Sequence, residues 1–201
     1  MIGVIDYGIG NLRSAQKALI KVGADAVLIG DPDQLKTASG IVLPGVGSFG
    51  RCADALLEGG WIPEIQRLVN EGLPFLGICV GFQLLYERSD ESPGSQGLGL
   101  LGGSVSRLSG EVRLPQIQWN QIVVRRDNRL LEPCDPAEWM YFVHSFAPPV
   151  SEVTVATCAY GEDVSAAIER ENLFGAQFHP EKSGSAGLSY LRRFAEVVEG
   201  S

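Results

Sequence analysis

Apolar and polar positions alternate along the chain in two regimes. In the first half, short apolar runs are separated by stretches with helical spacing. Met1–Asp6 reads as a strand running into a Gly-rich turn at Tyr7–Asn11. Leu12–Val22 follows with Leu12, Ala15, Ala18, Leu19 and Val22 on one helical face. Ala26–Ile29 is the second strand. Asp31, with Pro32 at the first helical position, starts a short helix. Ile41–Leu43 is the third strand and ends in Pro44-Gly45-Val46-Gly47. Helical stretches are expected around Arg51–Leu57 and Pro63–Asn70. Pro74–Ile78 is the fourth strand, and it runs straight into Cys79–Tyr86.

The second half is strand-rich. Segments 101–107, 118–124, 139–143, 152–160, 163–169 and 173–178 read as strands joined by short polar turns, Ser89–Gly99 as a polar loop, and Ala186–Val198 as a closing helix. Strand–helix alternation predicts a buried, mostly parallel sheet flanked by helices. The later strands predict antiparallel additions at one side of it. The class is therefore α/β, with an open, largely parallel central sheet, organised as one domain over 1–201.

Composition narrows the chemistry. Hydrophobic residues make up 45% of the 201 positions and charged ones 20%, which supports a real core and argues against disorder. The net charge of −8 speaks against a nucleic-acid binder. Cysteines stand at 52, 79, 134 and 158, with no CxxC spacing, and the only histidines are His144 and His179. No metal site and no cofactor are expected from so sparse a set of ligands. Cys52, Cys134 and Cys158 read as buried small hydrophobes. No apolar run approaches the roughly 18 residues of a membrane span, and Met1–Asn11 lacks the basic segment of a secretory signal. The expected location is the cytoplasm.

The strongest chemical signal is Gly77-Ile78-Cys79-Val80-Gly81, a G-x-C-x-G between a strand and a helix. Glycines at 77 and 81 permit the sharp turn of a nucleophile elbow. A thiol there sits at a helix N-terminus, where the dipole favours thiolate, and the Val80 N–H is placed to bind an oxyanion. Alone, the pattern fits a core cysteine equally well. Gln177-Phe178-His179-Pro180-Glu181-Lys182 changes the balance. In extended chain, positions i and i+2 point the same way, so His179 can serve Cys79 as base with Glu181 orienting the imidazole.

With both motifs in place, the sequence resembles the class I, triad-type glutamine amidotransferases, whose sheet is flavodoxin-like. Within them, Asp6–Leu12, Leu43–Phe49, Trp119-Asn120, Tyr141–Phe146 and Gln177–Ser183 resemble the glutaminase subunits of imidazole glycerol phosphate synthase. The likeness runs from Asp6 to about Ser185. It implies hydrolysis of glutamine to glutamate and ammonia through a thioester at Cys79, with His179 and Glu181 completing the triad. It implies an oxyanion hole built from Val80 and from Gly45, Val46 and Gly47. Gln83, Glu91, Ser145 and Phe146 are implied to hold the substrate's amino-acid end. The implied partner is a cyclase subunit, a (β/α)8 barrel, which receives the ammonia in a heterodimer. Asn11, Trp119, Tyr141 and Lys182 are the implied interface residues.

Several positions carry competing readings. Gly8 and Gly10 do not continue as G-x-G-x-x-G, which disfavours a nucleotide pocket. His144 reads as structural, because one base suffices. Gln116 and Gln118 depart from the family's usual histidine and glycine, which bears on the partner side of the site. Gly45 and Gly47 make rotation of a peptide beside Val46 sterically cheap, a possible switch. The nearest rival is the amidotransferase subunit of anthranilate or aminodeoxychorismate synthase, and a thiol hydrolase on the same architecture is another. Lys182 after Glu181, and Phe146 after His144-Ser145, favour the histidine-pathway subfamily.

Overall fold

The computed structural model describes residues 1–131 and 138–201. Cys134 lies outside the described residues.

The first half follows the expected alternation: β1 (Ile2–Ile5), α1 (Leu12–Lys21), β2 (Ala26–Ile29), a 3-10 turn over Pro32–Thr37, β3 (Gly40–Gly45), α2 (Phe49–Glu58), α3 (Trp61–Asn70) and β4 (Phe75–Cys79). Asp31 caps the 3-10 turn by accepting from the Asp33 N–H at 3.0 Å. The helices are amphipathic. α3 buries Trp61, Ile65, Leu68 and Val69, each worth about 1.5–3 kcal/mol relative to exposure. α1 packs against the closing helix and α2 against α3.

Beyond Cys79 the helix is shorter than expected. α4 is a single turn, Val80–Gln83, and Tyr86–Ser89 is already a strand, β5. Backbone pairing explains the stop. The Leu98 and Leu101 N–H groups donate to the Leu84 and Leu85 carbonyls at 2.7 and 2.8 Å, and Tyr86 pairs with Leu101. The chain is captured by β6 (Leu101–Arg107) before a second turn can form.

The remaining strands are β7 (Gln116–Gln121), β8 (Val123–Val124), β9 (Trp139–His144), β10 (Phe146–Ala147), β11 (Thr154–Tyr160), β12 (Glu162–Arg170) and β13 (Leu173–Ala176); α5 (Gly184–Glu199) closes the chain. The main sheet has the order β2-β1-β3-β4-β13-β12-β11-β8. β1 to β4 and β13 are mutually parallel, while β12, β11 and β8 add antiparallel.

Three details differ from expectation. β6 is not an antiparallel addition to the main sheet but lies in a separate three-stranded sheet, β10-β6-β5, where it pairs parallel to β5. β13 is a parallel neighbour of β4, with Ala176 beside Ile78, and not one of the antiparallel additions. The stretch 118–124 is not one strand. It splits at buried Ile122, so β8 joins the main sheet while β7 pairs with β9 in a separate ribbon, Gln116 facing His144. Among the described residues, no helix is long and apolar enough to cross a membrane.

Candidate active site

β4 delivers Cys79 to the edge of a small cavity. Its backbone has φ 55° and ψ −111°, a conformation that strains a residue with a Cβ. The surroundings enforce it. A Cβ on Gly77 would lie 2.5 Å from the Gly81 carbonyl oxygen, and one on Gly81 would lie 1.9 Å from that of Leu43. The elbow is folded back onto itself and onto β3 so tightly that only glycine fits. Because α4 is a single turn, it offers little of the macrodipole expected at Cys79.

The register of β13 with β4 carries the next residues of the chain past Cys79. Gln177 is fully buried, and its Nε2 lies 3.8 Å from the Cys79 sulfur. His179 follows, held by its N–H donating to the Tyr141 carbonyl at 2.9 Å. The His179–Glu181 contact arises differently from the expected extended geometry. Pro180–Lys182 forms a 3-10 turn that bends Glu181 back toward the ring. His179 Nδ1 and Glu181 Oε1 are 2.8 Å apart, both side chains 2% exposed. A carboxylate only accepts, so Nδ1 carries a proton in either charge state of the ring. Nε2 has no hydrogen-bond partner by distance among the described residues and is turned toward Cys79. Burial alone pulls the imidazole down. The interactions with Cys79 and Glu181 outweigh it and hold the ring well above its ordinary value.

The cavity in front of Cys79 has a volume of ≈ 140 Å³. Val46, Gly47, Val80, Gln83, Glu91, Ser145 and Phe146 all line it together with His179. Gly45 and Glu181 do not reach its wall. Gln83 is already engaged: its Nε2 donates to the Phe146 carbonyl at 2.8 Å and to Gln177 Oε1 at 3.1 Å. Glu91 uses one oxygen to accept the Phe49 N–H at 2.8 Å, at the start of α2.

The Pro44–Gly47 loop closes the opposite side. The Tyr7 hydroxyl donates to the Pro44 carbonyl at 2.9 Å, and the Cys52 thiol donates to the Val46 carbonyl at 3.4 Å. Successive carbonyls alternate in extended chain. With those two turned toward Tyr7 and Cys52, the Gly45 carbonyl between them faces the β4 side, where Gly45 pairs with Cys79.

Two features went unread in the sequence. Gln177 reads as a strand residue, yet it packs on the nucleophile candidate. His144 lines the cavity. Its Nδ1 is 2.9 Å from the Phe146 carbonyl and must therefore be the donor, while burial pushes its pKa down to about 4. Across the ribbon, Gln116 is 0% exposed, and neither of its amide atoms has a hydrogen-bond partner by distance among the described residues, although it interacts with the Cys158 thiol.

Of the expected interface residues, three cluster. Trp119 is 47% exposed and packs edge-on to Tyr141 with ring centroids 6.0 Å apart. The Lys182 ammonium lies 5.9 Å from the Tyr141 ring. Ile117 and Trp139 are exposed on the same face of the ribbon. Asn11 stands apart at the start of α1, where its carbonyl accepts from the Ser14 and Ala15 N–H groups. That helix packs against the 3-10 turn bearing Lys182. Among the described residues, no cluster of His, Cys, Asp and Glu is arranged to hold a metal ion.

Comparison with known proteins gives the family. The family model for glutamine amidotransferase class-I matches residues 3–197. The imidazole glycerol phosphate synthase subunit HisH of Methanothermobacter thermautotrophicus is 48% identical over 98% of this chain and 99% of its own length. HisH of Geobacillus thermodenitrificans is 43% identical over 100% of this chain and 97% of its own. A solved glutamine amidotransferase, 20% identical, superimposes with a TM-score of 0.78 over 100% of this chain and 99% of its own, a likeness of fold. The chain belongs to the class-I glutamine amidotransferase family, in the branch of the HisH subunits of imidazole glycerol phosphate synthase.

Proposed function

We propose that this chain, acting as one domain over 1–201, is the glutaminase subunit of imidazole glycerol phosphate synthase. The observation that carries the reading is the pairing of β13 with β4, which sets a Glu181-oriented His179 beside Cys79 in the wall of one cavity.

His179 Nε2 takes the Cys79 proton, and the thiolate attacks the side-chain amide carbon of glutamine. The carbonyl oxygen becomes an oxyanion, stabilised by the Val80 N–H and by N–H groups of Gly45–Gly47. His179 returns the proton to the leaving nitrogen, ammonia departs, and a glutamyl thioester remains. Water, deprotonated by His179, attacks the thioester; the second oxyanion collapses and expels the thiolate, giving glutamate. Gln83, Glu91, Ser145 and Phe146 hold the amino-acid end. No metal or organic cofactor enters any of these steps.

Ammonia then passes to the cyclase, a (β/α)8 barrel docked on the Trp119–Tyr141–Lys182 face and on Asn11. The cyclase uses it to make imidazole glycerol phosphate and aminoimidazole carboxamide ribotide in histidine biosynthesis, in the cytoplasm. The anionic substrate belongs to the barrel, so an acidic glutaminase poses no conflict.

The Gly45 carbonyl facing the Cys79 side is the resting state of the loop. Docked cyclase with its nucleotide favours the state in which the Gly45–Val46 peptide has turned its N–H inward. Co-purification with the cyclase and glutamine-dependent product formation test the assignment. Equal glutaminase turnover with and without liganded cyclase would sink the switch.

A further inference from the structure

Tyr7 and Cys52 are 45 residues apart and belong to neither motif, yet both end beneath the Pro44–Gly47 loop. Tyr7 follows β1, and Cys52 sits in the second turn of α2. Both are buried, Cys52 completely, and the phenol adjoins the thiol. Each spends its one hydrogen on a backbone carbonyl of the loop, at Pro44 and at Val46, two residues apart.

We propose that Tyr7 and Cys52 are positioning residues of the glutaminase: a two-point clamp that fixes the Pro44–Gly45 and Val46–Gly47 peptides, so that the Gly45–Val46 peptide between them is the unit of the loop that turns. This rests on the glutaminase reading and adds to it the side chains that aim the loop's N–H groups. Three points support the clamp. The pinned carbonyls flank that of Gly45, which is turned to the β4 side, as alternation in extended chain requires. Gly47, at φ 88° and with open space around it, relieves the chain immediately after the second anchor. Burial also raises the proton affinity of both groups, so both remain donors at working pH.

Losing one anchor lets a neighbouring peptide move with the Gly45–Val46 unit, which blurs the oxyanion geometry without touching the pocket that binds the amino-acid end. The transition state is affected and ground-state binding is not. The test is steady-state glutamine hydrolysis by the chain in complex with its cyclase subunit, comparing Cys52→Ala, Cys52→Ser and Tyr7→Phe. Cys52→Ala and Tyr7→Phe are each expected to lower kcat about tenfold with KM within about twofold, as for one lost hydrogen bond. Cys52→Ser, which keeps a donor, is expected to stay within about threefold of wild type. Wild-type kcat in both Cys52→Ala and Tyr7→Phe would overturn the clamp. So would an equal loss in Cys52→Ser and Cys52→Ala, or a rise in KM matching the fall in kcat, since either marks simple packing. A wild-type complex that releases no glutamate at all would instead overturn the glutaminase reading on which the clamp depends.

Discussion

The elbow at Gly77–Gly81 and the Val46–Gly47 end of the adjoining loop line one cavity, yet they are held by different forces. The elbow is fixed by backbone packed on backbone, with no room for a Cβ at Gly77 or Gly81. The loop is held from below by two side-chain hydrogen bonds, from Tyr7 and Cys52, each worth about 1 kcal/mol net. Steric fit of the first kind allows no adjustment. Bonds of the second kind pin two peptides and leave the one between them for a docked partner to turn. A nucleophile that must stay strained is therefore mounted on the rigid side, and the groups that are to respond to a partner on the compliant side.

Three changes break or sharpen this contrast. The largest effect belongs to Gly81→Ala. Its Cβ would meet the Leu43 carbonyl oxygen at 1.9 Å, and rigid overpacking of that kind costs roughly 3 kcal/mol or more. Urea unfolding is expected to show that loss, together with loss of glutaminase activity.

A smaller effect comes from His144, which props the rigid side by donating to the same Phe146 carbonyl that holds Gln83. Its folded pKa is depressed, to about 4 from an ordinary 6.5. The unfolded chain therefore takes up this proton first, so the stability is present above about 6.5 and is lost as the pH falls toward 4. Between pH 7 and 5 this one group accounts for at most about 2 kcal/mol. His144→Asn, which keeps a donor, is expected to flatten the acid limb of the stability curve by that amount. An unchanged limb would contradict the buried neutral imidazole. His179, whose pKa is raised, acts in the opposite sense: its contribution is complete at low pH and fades as the pH rises through its folded value.

The smallest effect is expected at Gly47→Ala. Nothing lies within 4 Å of the new Cβ, so only the positive φ of 88° is penalised, at about 1 kcal/mol. Its thermal unfolding is expected close to wild type. If Gly47→Ala destabilises as much as Gly81→Ala, the loop is as rigid as the elbow and the contrast fails.

The sequence made the reactive groups legible because their chemistry is local. Gly77, Cys79 and Gly81 share one turn, and His179 and Glu181 another. Contacts between distant segments left no such trace. Periodicity shows that Leu173–Ala176 is a strand, but not that it pairs parallel to β4. Without that register Gln177 is one more buried polar residue. The early end of α4 depends on pairing with β6, because Leu84 and Leu85 are equally apolar in a helix or a strand. Cys52 read as a small hydrophobe, and by burial it is one. Only the fold reveals the carbonyl of Val46 within reach of its thiol.

The central claim is that Cys79 carries the glutamyl group. Wild-type complex mixed with glutamine labelled in its carbon skeleton and quenched in acid during turnover tests it directly. The account predicts label bound to the peptide containing Cys79. In Cys79→Ala no label is retained and no glutamate is released, while cyclase product still forms from added ammonium salt. Label on another residue, or glutamate release that survives Cys79→Ala, would contradict it.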